Sequence, residues 1–378
     1  MLDVANEPIE GVGSSRRSWR VVAAVALVAA LAVAVWFQRD TVTGALREIR
    51  NLSAGALVLL GILTVYERWS RADIVRRLLG EPVGSGQAVV IHDVGTAVSK
   101  GVPLGGALGT AMRWSIARQC GVGPTRFATM LIGYGIAATF VSWLLPFAAL
   151  LVDLTQRSAE MTDVLILVGI AVVVVASAVF WSITLRSERL EAWSAKRTRS
   201  VWRRIARKVP TLDALDPAAG IAGVRCELLE IARRPAPLLL RTGSAQMGGA
   251  LILLVALRSL GVGDELGLTE FFRVYFIAHL LGTFAPTPGG VGVVEAGMTG
   301  ALMAAGVATT PALAAVLVYR FLTYVLPIAF GAILWTGWRV SRSRSEAASS
   351  VRLSAYGARI DTRVSDVSRT AHQRVRDR

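Results

Sequence analysis

The 378 residues are 53% hydrophobic and 18% charged, and the mean hydropathy is +0.53. Water-soluble domains carry about 25% charged residues, so an ordinary soluble globule is excluded. The net charge of +15 would suit nucleic acid, but the Arg and Lys residues stand at the ends of apolar runs, as membrane topology requires. There is no zinc-finger spacing and no interleaving of aromatic with basic residues. Cys120 and Cys226 form neither a disulfide framework nor a CxxC pair, and neither metal nor cofactor is expected.

Residues 1–19 read as a disordered cytoplasmic N-terminus. Arg16, Arg17 and Arg20 precede the apolar run Val21–Phe37 as in a signal peptide, but no small-residue cleavage site follows, so the run reads as a retained first span. At about 1.5 Å per residue it is just long enough to cross. Leu52–Tyr66 is the second span, followed by the basic end Arg68, Arg71, Arg76 and Arg77. The positive-inside rule places both basic segments, and with them the N-terminus, in the cytoplasm.

Ala88–Trp114 is glycine-rich and reads as two short helices broken at Gly101–Gly106. With basic groups at both ends it predicts a re-entrant hairpin from the cytoplasm; a full span with an outer loop is the alternative. Phe127–Val152 is a span, Asp153–Asp163 an outer loop, and Val164–Leu185 a β-branched run whose length decides for helix. The cytoplasmic loop 186–234 opens with nine basic residues between Arg186 and Lys208. It sets topology or meets anionic headgroups, where each basic group contributes roughly 1 kcal/mol. Ala236–Leu260 crosses again, Phe271–Phe284 goes inward, Gly290–Ala305 returns, and Pro311–Trp338 is the last span. The tail 339–378 has ten arginines and four acids and reads as cytoplasmic and disordered. The whole is an all-α polytopic membrane protein of about eight transmembrane helices plus a broken-helix hairpin. It has two pseudo-repeated halves, with 20–338 as the transmembrane domain and both termini inside.

One stretch organises this plan. Pro286, Pro288, Gly289, Gly290 and Gly292 break an apolar segment just before Glu295. Proline lacks the N–H and glycine has the most backbone freedom to lose. Broken backbone at membrane depth is tolerated only inside protein or beside a wet cavity, and an intramembrane carboxylate marks a site by default. Glu295 reads as an ammonium ligand or protonation switch, or as a helix cap. An echo stands in the first half, where Pro103, Gly105, Gly106 and Gly109 precede Arg113. Paired interrupted segments in two halves are the sequence pointer to a transporter-type site. Arg113 is a phosphate ligand, since a guanidinium meets phosphate bidentately, or an interfacial anchor. Arg320 lies too deep in the last span for a topology signal and is placed to pair with Glu295. His279 is a packing residue or a site residue, and Arg273 an interfacial snorkel.

Pro286-x-Pro288-Gly289-Gly290-x-Gly292-x-x-Glu295, a helix ending at Gly306, and Arg320 in the last span resemble the flippase-like membrane domain of the lysylphosphatidylglycerol synthase/flippase family. Arg68-Trp69 and the Pro103…Arg113 stretch are similar to that family's first half, though His92-Asp93 and Ser99-Lys100 stand where the family often has an asparagine. The resemblance covers roughly residues 20–340. It implies an inner-membrane domain that handles a lipid or lipid-linked headgroup, an anionic phospholipid or a lipid-linked sugar. The family's aminoacyl-transferring module is separate, so no enzyme activity is expected. The alternative is a non-transporting scaffold for a cell-envelope glycosyltransferase or lipid-modifying enzyme. A homo-oligomer or an envelope-synthesis enzyme is the partner to look for.

Overall fold

The computed structural model describes residues 52–102, 105–156, 161–189, 217–262, 266–283 and 292–343, with residues 43, 47, 50, 192–193, 196–197 and 290 besides. The expected first span, Pro103, the turn 284–289 with Pro286, Pro288 and Gly289, most of the basic loop and the tail beyond 343 lie outside the described residues. The chain divides into two units, Met1–Gly331 and Ala332–Arg378. The described part of the second is helical, and Arg339 and Arg342 lie over the rings of Trp335 and Trp338.

The first unit is helical throughout its described regular structure. Its elements are α1 (Ala54–Leu79), α2 (Ser85–Gly101), α3 (Gly105–Gln119), α4 (Pro124–Leu154), α5 (Met161–Arg186), α6 (Pro217–Arg233), α7 (Ala236–Ser259), α8 (Leu268–Thr283), α9 (Val293–Ala304) and α10 (Thr309–Arg320). A π-turn, Phe321–Val325, follows α10, and helix then resumes. Among the described residues four helices are long and apolar enough to cross a membrane: α4, α5, α7 and the run Thr309–Ser343. The fold is thus the all-α, polytopic one that the apolar runs dictate. α1 has the length, at 26 residues, but its last third is charged.

Ion pairs mark two ends of the bundle. At one, Asp73 of α1 takes Arg76, Arg77 and, at 2.5 Å, Arg241 of α7; Arg126 of α4 donates to the Leu79 carbonyl there. At the other, Arg273 of α8 meets Asp153 of α4 at 3.0 Å and Thr269 donates to Gln156. Arg273, expected to snorkel, is therefore tied to a buried carboxylate. Helices α1 and α7 run antiparallel between these ends, close enough that a Cβ on Gly248 would come within 3.2 Å of the Glu67 side chain.

Two hairpins fill the space between the long helices, and they open in opposite directions. Helices α2 and α3, of 17 and 15 residues, start and finish near Pro82 and Gly121 at the Asp73 end. At about 1.5 Å per residue neither covers a hydrocarbon core of roughly 30 Å. Their glycines let the backbones touch: a Cβ on Gly109 would lie 2.0 Å from Ser99 Oγ, and one on Gly105 2.5 Å from the Ser99 carbonyl. Helix α8 starts at the Asp153 end. Helix α9, only 12 residues long, returns there, where Leu302 and Val307 join Val262, Leu266 and Phe271 in the apolar core. The expected inward and outward passes at 271–284 and 290–305 are thus a second hairpin, inverted relative to the first.

Candidate functional site

The hairpins meet beside α10 and its π-turn. Lys100, one residue before the end of α2, donates from Nζ to the Thr323 carbonyl at 2.6 Å, and Tyr324 Oη donates back to the Lys100 carbonyl at 2.7 Å. A π-turn loosens the helical ladder, and such turns collect at functional sites. Glu295, in the first turn of α9, accepts from Arg320 Nε at 2.7 Å. Arg320 is the eleventh residue after Thr309, so this pair lies about 16 Å along α10, close to half of a roughly 30 Å core.

The start of α9 shows why glycine stands there. Gly290 and Gly292 have φ of +68° and +79°, the region a Cβ disfavours. Gly292 caps the helix, and its N–H donates to Glu295 Oε2 at 2.8 Å. Glu295 therefore does two things: one oxygen caps α9 and the other holds Arg320. Both side chains are largely buried, at 12% and 8% exposed, and the Arg320 guanidinium also lies 4.4 Å from the Tyr324 ring centroid.

Around this junction is a cavity of about 360 Å³. Its charged wall comes from α1 (Glu67, Arg68, Arg71), from the first hairpin (Lys100, Arg113) and from Arg320. Its aromatic wall is Tyr134, Tyr275, His279, Tyr319 and Tyr324. Three of the cations are matched by carboxylates. Arg71 contacts Glu67, Arg68 Nη2 meets Asp93 at 2.9 Å, and Arg320 meets Glu295. His92 Nδ1 is 2.9 Å from the same Asp93 oxygen, so that pair orients Arg68. Lys100 and Arg113 have no carboxylate within ion-pair distance among the described residues; Arg113 Nη2 donates to Thr96 Oγ1 at 3.1 Å, and its Nε is buried with no hydrogen-bond partner. In and around the cavity, cationic side chains thus outnumber carboxylates by two. Burying charge without a counter-charge is costly, and an anionic group entering the cavity would relieve it.

Of the expected site residues, Arg113, Arg320 and His279 line this cavity. Glu295 stands behind it through Arg320, while its neighbour Val294 lines the wall. Arg113 and Glu295 border one junction but form no ion pair with each other: Arg113 turns to Thr96 and Glu295 to Arg320. His279 stacks on Tyr275, ring centroids 5.7 Å apart, and the Tyr275 and Tyr319 hydroxyls are 3.1 Å apart. Gly105 and Gly109 allow close packing of the first hairpin, whereas a Cβ on Gly106 would meet nothing within 4 Å. Sequence reasoning missed Glu67, Arg68, Arg71 and Lys100 as site residues. Arg68 and Arg71 read as a topology signal, yet they face inward; the i,i+4 spacing of Glu67 and Arg71 was the available sign. No group of three or more His, Cys, Asp or Glu among the described residues is placed to hold a metal ion.

Residues 21–331 match the family described as the lysylphosphatidylglycerol synthase TM region. The chain belongs to this family. No curated protein matches it. Membership makes it an integral membrane protein of lipid or cell-envelope processes, and the match ends at Gly331, where the first unit ends.

Proposed function

We propose that the chain carries the headgroup of a phosphate-bearing lipid, an anionic phospholipid or a lipid-linked sugar, between leaflets through the charged cavity. The observation that carries this reading is the pair Lys100 and Arg113, neither with a carboxylate partner among the described residues, at the meeting of two inverted hairpins. Interrupted, inverted segments that meet at the membrane centre are how alternating-access carriers build a site. A guanidinium and an ammonium on one wall replace the water that a phosphate gives up. The tyrosine wall offers hydroxyls to sugar or glycerol oxygens, while the acyl chains stay in lipid. In this reading the Asp73 end, with Arg76 and Arg77, faces the cytoplasm of an inner membrane, and the Asp153 end faces outward.

The test is a scrambling assay in reconstituted vesicles with fluorescent phosphatidylglycerol and dithionite quenching. Wild type should expose both halves of the label to dithionite, whereas protein-free vesicles expose only the outer half. Arg113→Gln should slow transfer at least about tenfold, the loss of one charge-assisted hydrogen bond. Equal rates for wild type, Arg113→Gln and protein-free vesicles across anionic and sugar-linked lipids would refute transport and leave the scaffold.

A further inference from the structure

A second cavity, of about 550 Å³, lies between α4, α5, α6 and α7 and shares no residue with the charged one. Helix α4 separates them: Gly133 faces this cavity and Tyr134 the other. Its walls are apolar, with Ile136 and Phe140 of α4, Trp181 of α5, Leu228 of α6 and Leu239 of α7. Among the described residues its only ionisable lining groups are Arg186, in the last turn of α5, and Arg233, in the last turn of α6. Both are exposed, and neither has a carboxylate within ion-pair distance among the described residues. They lie at the Asp73 end, where Arg225 of α6 donates to the Leu185 carbonyl at 2.8 Å and so ties α6 to the end of α5.

We infer that this cavity is a binding site for an anionic phospholipid, one acyl chain between α4, α5 and α6 and the phosphate at Arg186 and Arg233. Three observations converge. Close-packed interiors hold few voids larger than a water molecule, so a half-open apolar space of this size beside a lipid-facing helix fills with chain. Helix α5 is that helix: its most apolar window is only 6% buried within the protein. Both guanidiniums line this one cavity with no acid among its described lining residues, which suits an anionic headgroup better than a zwitterion's paired charges. The site holds a lipid at one leaflet and does not depend on transport by the charged cavity.

The experiment is native mass spectrometry of the full chain, released from nanodiscs of equal phosphatidylglycerol and phosphatidylcholine. One phosphatidylglycerol per chain should survive release, favoured about tenfold over phosphatidylcholine, the scale of a charge-assisted contact. R186Q/R233Q, at exposed positions, should abolish the preference. A178F/A232F, which fills the cavity from two walls, should abolish retention itself. Val168→Leu, on the lipid-facing side of α5, is the control and should change neither. Retention with the same headgroup preference in both double variants would overturn the site. So would equal retention of the two lipids by wild type, since that is an ordinary lipid shell. If A178F/A232F does not fold, R186Q/R233Q alone decides.

Discussion

Replacing Glu295 by Gln tests the junction of the two hairpins most directly. The amide is isosteric and still accepts from the Gly292 N–H, so the α9 cap survives while the charge is lost. The Arg320 guanidinium then keeps its charge at 8% exposure without the carboxylate 2.7 Å away. Removing one partner of a buried pair costs about 3–5 kcal/mol, and one more cation beside the cavity stands without its carboxylate. We expect a loss of about 3 kcal/mol in reversible SDS unfolding of the detergent-solubilised protein, the low end of that range because Tyr324 still covers the cation. The double variant E295Q/R320Q removes both charges and should recover at least half of that loss. Glu295→Ala should lose the cap as well, about 1 kcal/mol more. The reasoning is refuted if E295Q costs less than about 0.5 kcal/mol, or if the two single losses simply add in the double variant.

Four further outcomes follow from the same geometry. Gly109→Leu puts side-chain atoms into Ser99 and the Gly95 carbonyl, which a Cβ alone would approach to 2.0 and 2.5 Å; overpacking of about 1–3 kcal/mol should lower the melting temperature by several degrees in a thermal-shift assay, whereas Gly106→Ala should leave it unchanged. Asp73→Asn leaves Arg76, Arg77 and Arg241 facing one another without their carboxylate, and unfolding stability should fall by about 2 kcal/mol. Lys100→Gln should weaken inhibition of lipid transfer by free glycerol phosphate at least about fivefold, a loss of about 1 kcal/mol, with vesicle insertion unchanged. Deleting Arg339–Arg378 should spare lipid transfer measured with purified protein; abolished transfer in well-inserted protein would give the tail a role that the cavity does not explain.

The fold was legible because the bilayer leaves the chain few choices. Apolar length set α4, α5 and α7, and the clusters of proline and glycine set both breaks. The opposed openings of the hairpins were half legible: the first follows from basic residues at both of its ends, while the second needed the 12-residue length of α9 to be seen. The site was less legible. Glu295 with Arg320 could be guessed because each charge stands alone in an apolar run. Arg113 could be named, but not its neighbour Thr96, which comes from the facing helix. Glu67, Arg68 and Arg71 were hidden by their place next to Arg76 and Arg77. A basic run at the end of a span looks the same in sequence whether it faces water or turns inward, and only the packing of α1 against α7 and α2 separates the two halves of the run. His279 could not be assigned: its i,i+4 spacing from Tyr275 was readable, but the cavity that both rings line is made by other helices.

The inverted hairpins also determine where the protein keeps its two aqueous sides apart. Neither hairpin is long enough to reach across by itself, so in the proposed carrier the barrier between them would be their meeting at α10: the Lys100 contacts with Thr323 and Tyr324 on one side and the Glu295–Arg320 pair on the other. A seal this thin needs no sliding of whole helices to be breached. For the transport proposed above, separating the few bonds on one side would join the cavity to one compartment while those on the other still close it.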